Sequence, residues 1–119
     1  HFGAGECRFD LVLLGLGSNS HTASLFPHTE VLHENKQLVS GLFIPEVNMF
    51  RITFTAPLIN QARNIAFLVY GASKAEAVAE IIEGERDIES HPAQLIEPAN
   101  GNLEWFIDDA AGKALKKTT

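Results

Sequence analysis

The residues of this chain able to do chemistry gather in three places: the stretch Gly15–His21, Arg51 and Lys74. An imidazole such as that of His21 takes a proton from water near neutral pH. Before it comes the apolar run Phe9-Asp-Leu-Val-Leu-Leu-Gly-Leu-Gly17, which reads as a strand closed by glycines. Such a strand delivers the residues after it to the carboxyl edge of a sheet, where open α/β folds bind ligands. Backbone N–H groups of a turn there, at Gly17 and Ser18, suit an anion or an oxyanion. Arg51 opens a strand, and Lys74 begins a helix right after Tyr70-Gly-Ala-Ser73. A lysine in the first turn opposes the helix dipole, mildly unfavourable unless an anion lies between them. The plainer alternatives are a capping turn with a locally bonded histidine and a solvated lysine.

Several sharper motifs fail. Gly15-Leu-Gly17 followed by Ser20 lacks the third glycine of a dinucleotide fingerprint, and no Lys-Ser/Thr comes after it to make a nucleotide loop. The pattern is not a serine-nucleophile elbow. His21, His28 and His33 match no familiar zinc spacing, so no metal or other cofactor is expected and His28 and His33 read as solvated loop residues. Cys7 has no neighbouring base to activate it.

The elements that position these residues are set by hydrophobic pattern. With 119 residues, 45% of them hydrophobic and 20% charged, the chain has the makings of one globular domain. Phe9–Leu16 and Asn64–Tyr70 are too continuously apolar for a half-exposed strand and read as parallel strands buried on both faces. Gln37–Ile44 and Arg51–Thr55 read as two more strands, the second with period-two alternation. A short helix is expected before Pro27, another over 57–63, and a longer one capped by Ser73 and closed by Gly84. A short strand is expected at 94–96, a brief strand or turn at 103–107 and a last helix at 108–116. The result is an α/β layered sheet. Two strands buried on both faces need neighbours that 119 residues scarcely supply, so the sheet reads as incomplete. It is expected to be half of a larger domain, or to be completed by another chain.

Charge narrows the partners. The net charge is −6, and residues 71–119 hold ten acids against five bases, with Lys113, Lys116 and Lys117 the one short basic tail. A phosphate backbone would be repelled, which argues against nucleic acid. The apolar runs are too short to cross a bilayer. One cysteine fits a reducing compartment.

Taken in order, Gly15-Leu-Gly-x-x-x-His-Thr-Ala-Ser-Leu-Phe-Pro27, Arg51-Ile-Thr-Phe-Thr55, Ala66-Phe-Leu-Val-x-Gly-Ala-x-Lys-Ala75, Pro92-Ala and Gly101-x-Leu-x-Trp-Phe106 resemble the 6-phosphogluconolactonase family. The match runs from about residue 9 to 111, and the His-Thr-Ala-Ser-Leu-Phe-Pro block separates it from related deaminases. The resemblance implies a sugar-phosphate isomerase-like fold with a Rossmann-like, mostly parallel sheet and flanking helices. Residues 1–119 would be the C-terminal half of that single domain, without the N-terminal glycine/threonine loop. It implies a cytoplasmic enzyme that hydrolyses 6-phospho-D-glucono-1,5-lactone in the oxidative pentose phosphate pathway. His21 would be the general base on water. Gly17 and Ser18 would face the oxyanion, and Arg51 and Lys74 the substrate phosphate.

One departure matters. The family reads G-x-D-G-H where this chain has Asn19 and Ser20 before His21. An aspartate can stabilise an imidazolium or fix its tautomer; Asn19 can do only the second. The lysine often found before Arg51 is also missing. The competing readings are another sugar-phosphate isomerase or deaminase, and a weakened member that binds sugar phosphates or serves as an interaction domain.

Overall fold

The computed structural model describes residues 7–116, so both ends of the expected domain 1–119, His1 and Lys117 of the basic tail among them, lie outside the described residues. The elements run β1 (Val12–Leu14), β2 (Val39–Ile44), β3 (Met49–Phe54), α1 (Ala56–Asn60), β4 (Asn64–Val69), α2 (Ala75–Ile82) and β5 (Asn102–Ile107). They form two sheets: a parallel one in the order β1-β4-β5 and the antiparallel hairpin β2-β3. The α/β class is as the sequence indicates, and the 103–107 segment is a full third strand.

In the parallel sheet Val12, Ile65 and Leu103 align across the strands, as do Leu14, Phe67 and Trp105. This face is the core. It packs with Ala77 and Val78 of α2 and with Ala93, Ile96 and Ala111, and Phe67 stacks on Trp105 at 4.1 Å. Apart from the small Ala66, the opposite face is open, contrary to the reading of both apolar runs as doubly covered. Leu11, Leu13, Leu68 and Phe106 are 44–59% exposed, because the packing segments all lie on one side.

The hairpin divides its faces just as sharply. Val39 pairs with Phe54, Gly41 with Ile52 and Phe43 with Phe50, and this side is exposed; Phe50 and Ile52 stand out most. On the other side are Arg51, Thr53 and Ile44, the last two buried. The period-two pattern read from Arg51–Thr55 is this division.

Three expected elements are absent. Residues 94–96 are the end of a 3₁₀ turn, Pro92–Leu95, and its C-cap Ile96 rather than a strand. Asn60 grips Leu95 O and Glu97 N–H, so these peptide groups are not free for a ladder, and the buried Gln94 side chain ties the turn to Glu80 O, Glu85 O and Asp87 N–H. Residues 108–116 form successive turns, with the Asp108 carboxylate taking the N–H groups of Ala111 and Gly71. The third is the helix before Pro27. Ser73 also lacks the expected capping bond; Lys74 occupies the N-cap position of α2.

Candidate active site

The chain leaves β1 and turns tightly at Gly17, whose N–H donates to His21 O at 2.8 Å while its carbonyl accepts from Ser20 N–H at 2.9 Å. No helix comes next. Thr22 Oγ1 donates back to Gly15 O at 2.8 Å, Thr22 bridges to Leu25, and Ala23 lies in the left-handed region at φ 51°. One left-handed residue breaks a helical ladder. Leu25 and Phe26 are buried and anchor the turn, and Ser24 N–H donates to Thr53 Oγ1 on β3 at 3.0 Å.

His21 is held by its neighbours. Asn19 Oδ1 lies 2.5 Å from His21 Nδ1 and 3.2 Å from His21 N, and Asn19 Nδ2 donates to the carboxylate of Glu46. A backbone N–H only donates and a carboxylate only accepts, so these two partners settle which end of the Asn19 amide is oxygen. Nδ1 must then carry the ring proton, and in the neutral ring Nε2 keeps its lone pair. The imidazole stacks on Phe26, with centroids 4.1 Å apart and planes 11° apart. Burial lowers the His21 pKa from its ordinary value; Glu46 opposes this, while Lys74 and Arg51 push it down. A histidine so placed is neutral, and therefore basic, at neutral pH.

Those charges also show that residues far apart in sequence converge here. Arg51 places its guanidinium carbon 6.0 Å from the Phe26 ring centroid, and its Nε is a buried nitrogen with no hydrogen-bond partner. Lys74 Nζ donates to Leu16 O at 2.6 Å, just beyond β1, so the lysine that the sequence left between an anion and solvent has a backbone carbonyl as a partner. Ser18 is exposed at the tip of the turn, whereas the Gly17 N–H is occupied by His21 O.

Sequence reasoning misses two contributors, Phe26 and Glu46, and the partners of a third, Ser20. Phe26 is visible there only as part of a motif, and its stacking needs the turn at Ala23. Glu46 sits in a turn between β2 and β3 and carries no local signal. Ser20 is buried in left-handed backbone at φ 72°; its Oγ lies 2.8 Å from His91 Nδ1, and its carbonyl accepts from Ala93 N–H at 3.1 Å. His33 pairs with Glu89, and His28 lies 3.9 Å from the same carboxylate, both ring side chains being exposed. Among the described residues no three metal-ligating side chains converge.

The profile of glucosamine-6-phosphate isomerases/6-phosphogluconolactonase matches residues 1–105. This chain belongs to that family. It is 48% identical over 108 residues to the 6-phosphogluconolactonase of Synechocystis, an alignment covering 91% of this chain and 44% of that one. Against the human 6-phosphogluconolactonase the identity is 38%, covering 90% and 42% respectively. The solved 6-phosphogluconolactonase of Trypanosoma brucei superposes with a TM-score of 0.79 at 34% identity, over 91% of this chain and 43% of that one. The chain thus spans less than half the length of these relatives.

Proposed function

We propose that this chain is the C-terminal half of a 6-phosphogluconolactonase, acting in the cytoplasm on 6-phospho-D-glucono-1,5-lactone. The observation that carries the reading is the state of His21: Nδ1–H held by Asn19, Nε2 free, and two cations beside it. Nε2 takes a proton from water as the water oxygen bonds to the lactone carbonyl carbon. The C–O bond to the ring oxygen then breaks, and the imidazolium returns the proton to that oxygen, giving 6-phosphogluconate. Gly17 and Ser18 line the turn against the reacting carbonyl, with the exposed Ser18 N–H as the candidate oxyanion donor. Arg51 and Lys74 take the phosphate. A buried guanidinium nitrogen without a partner costs about 1–3 kcal/mol, which an anion accepting from it would recover.

The open sheet face belongs to the same proposal. Parallel sheets are covered on both faces, so Leu11, Leu13, Leu68 and Phe106 are the surface on which the rest of the domain, or another chain, packs. The single Cys7 fits a reducing cytoplasm.

The test compares two lactones in the full-length protein. Arg51→Met and Lys74→Met should each lower kcat/KM about ten- to a hundredfold for the phosphorylated lactone, the loss of one charge-assisted contact. They should leave unphosphorylated gluconolactone nearly unaffected. His21→Asn should lower kcat by about 10²–10⁴ for both. Equal damage to both lactones from the Arg51 and Lys74 variants would overturn the phosphate assignment, and near-normal turnover by His21→Asn would overturn the base.

A further inference from the structure

An amide in the place of an acid leaves a general base with an orienter but no counter-charge. Asn19 can accept from Nδ1–H, yet a free amide can also rotate and offer its NH₂ to the ring, which would favour the other tautomer and cover the lone pair on Nδ1 instead. The structure closes that alternative from outside the loop. The carboxylate that accepts from Asn19 Nδ2 comes from Glu46, 27 positions along the chain, at the turn joining the two hairpin strands. Because a carboxylate accepts hydrogen bonds and does not donate them, the NH₂ end of the amide is the end that faces it. The Oδ1 end is then directed at His21, where it meets both the backbone N–H and Nδ1.

We propose that Glu46 is a positioning residue for His21: acting through the Asn19 amide, its carboxylate holds the imidazole in the Nδ1–H tautomer and supplies the negative charge that Asn19 lacks. The proposal rests on the reading of His21 as the base. As Nε2 takes its proton, positive charge develops on the ring, and a carboxylate one amide away stabilises it without itself accepting the proton. The groups that oppose it are the cations on the other elements around the ring, Lys74 at the start of α2 and Arg51 on β3; burial acts in the same direction as they do. In a serine protease, replacing the orienting aspartate with asparagine costs about 10⁴ in kcat because the wrong tautomer results. A chain that carries asparagine at such a position needs something to fix the amide, and Glu46 does so.

The experiment uses Glu46→Gln, Glu46→Ala, Asn19→Asp and the double variant Glu46→Ala with Asn19→Asp, all in the full-length protein. Glu46 is an exposed turn residue, so its variants should fold normally. Two readouts are needed. The first is the ¹⁵N NMR titration of the His21 ring, which reports tautomer and pKa without reference to turnover. The second is kcat and KM for the phosphorylated lactone across pH. Glu46→Ala and Glu46→Gln should mix the His21 tautomers and lower its pKa, moving the acid limb of kcat/KM to lower pH. Turnover on the plateau should fall about ten- to a hundredfold, the range for losing a charge-assisted hydrogen bond, with KM little changed. Asn19→Asp should restore tautomer and turnover in the Glu46→Ala background. An unchanged His21 tautomer and pKa in both Glu46 variants would overturn the proposal, whatever the rate. A shifted tautomer with unchanged turnover would uphold the relay and overturn instead the reading of His21 as the base.

Discussion

A methyl group on Gly17 would lie 2.1 Å from His21 Nδ1, 2.3 Å from Cε1 and 2.8 Å from Asn19 Oδ1. The glycine is there to leave room for the ring and its orienter, and not because its backbone is left-handed. This differs from the sequence-level reason for a glycine after a strand, which is freedom to turn. Gly17→Ala should therefore displace the imidazole from Asn19 and lower kcat by about 10²–10⁴, as loss of a general base does. The thermal midpoint should change little, since the turn sits at the surface edge of the sheet. Normal kcat in that variant, measured alongside its melting curve, would show that the ring can leave this position without cost to the reaction. At this scale the sequence is informative about residue types. His21, Arg51 and Lys74 stand out by chemistry alone, and the structure brings their charges within reach of one another.

The loop from Gly17 to His28 behaves as an element without a ladder. Ser20, Ala23 and His28 all have positive φ, a conformation costing an L-residue roughly 1–2 kcal/mol. Such a loop persists because contacts outside it over-determine it. For Ser20 those contacts are His91 Nδ1 and Ala93 N–H, both from the segment after α2. His91→Ala should thus destabilise the protein by about 0.5–1.5 kcal/mol through the lost hydrogen bond. In a Ser20→Gly background, which has no hydroxyl to pair and no left-handed penalty, the same change should cost almost nothing. Urea denaturation of the four proteins closes the cycle, and equal costs in the two backgrounds would show that His91 stabilises by some other route. β3 and α2 are legible in the sequence because their apolar residues recur with one clear period, and β4 because it is a short continuous apolar run closed by a glycine. The stretches 21–26, 94–96 and 108–116 are not. Each has a backbone group claimed by a particular side chain: Ser24 N–H by Thr53, Leu95 O by Asn60 and Ala111 N–H by Asp108, and such single bonds leave no periodicity to read.

On the scale of the molecule, two apolar surfaces stand open: the Leu11, Leu13, Leu68 and Phe106 face of the parallel sheet and the Phe50 and Ile52 side of the hairpin. Leu68 of β4 and Phe106 of β5 are adjacent in register and 44% and 54% exposed. If the rest of a larger domain covers them, Leu68→Asp should destabilise the full-length protein by several kcal/mol, the cost of a charge placed in an apolar interface. In the isolated 119 residues it should be nearly neutral for folding and should reduce self-association, read by sedimentation. A neutral effect in the full-length protein would mean that this face is solvent-exposed there too.

Pattern alone determined the α/β class, the inward alternation that puts Arg51 and Thr53 on one side of β3, and the candidate base at a glycine-ended strand. These are local properties, set by side-chain period and by residue chemistry, and they survive whatever the chain packs against. Tertiary structure decided the rest. Whether Leu13 and Leu68 are covered depends on which segments lie over the sheet, and here all of them lie on the other face. The meeting of Glu46 with Asn19 depends on where the hairpin comes to rest, a long-range placement that no spacing in the sequence encodes. For the same reason the lysine at the start of α2 found a carbonyl two residues beyond β1: strands and helices that are distant in sequence end at one edge of the sheet, and only the fold makes that edge.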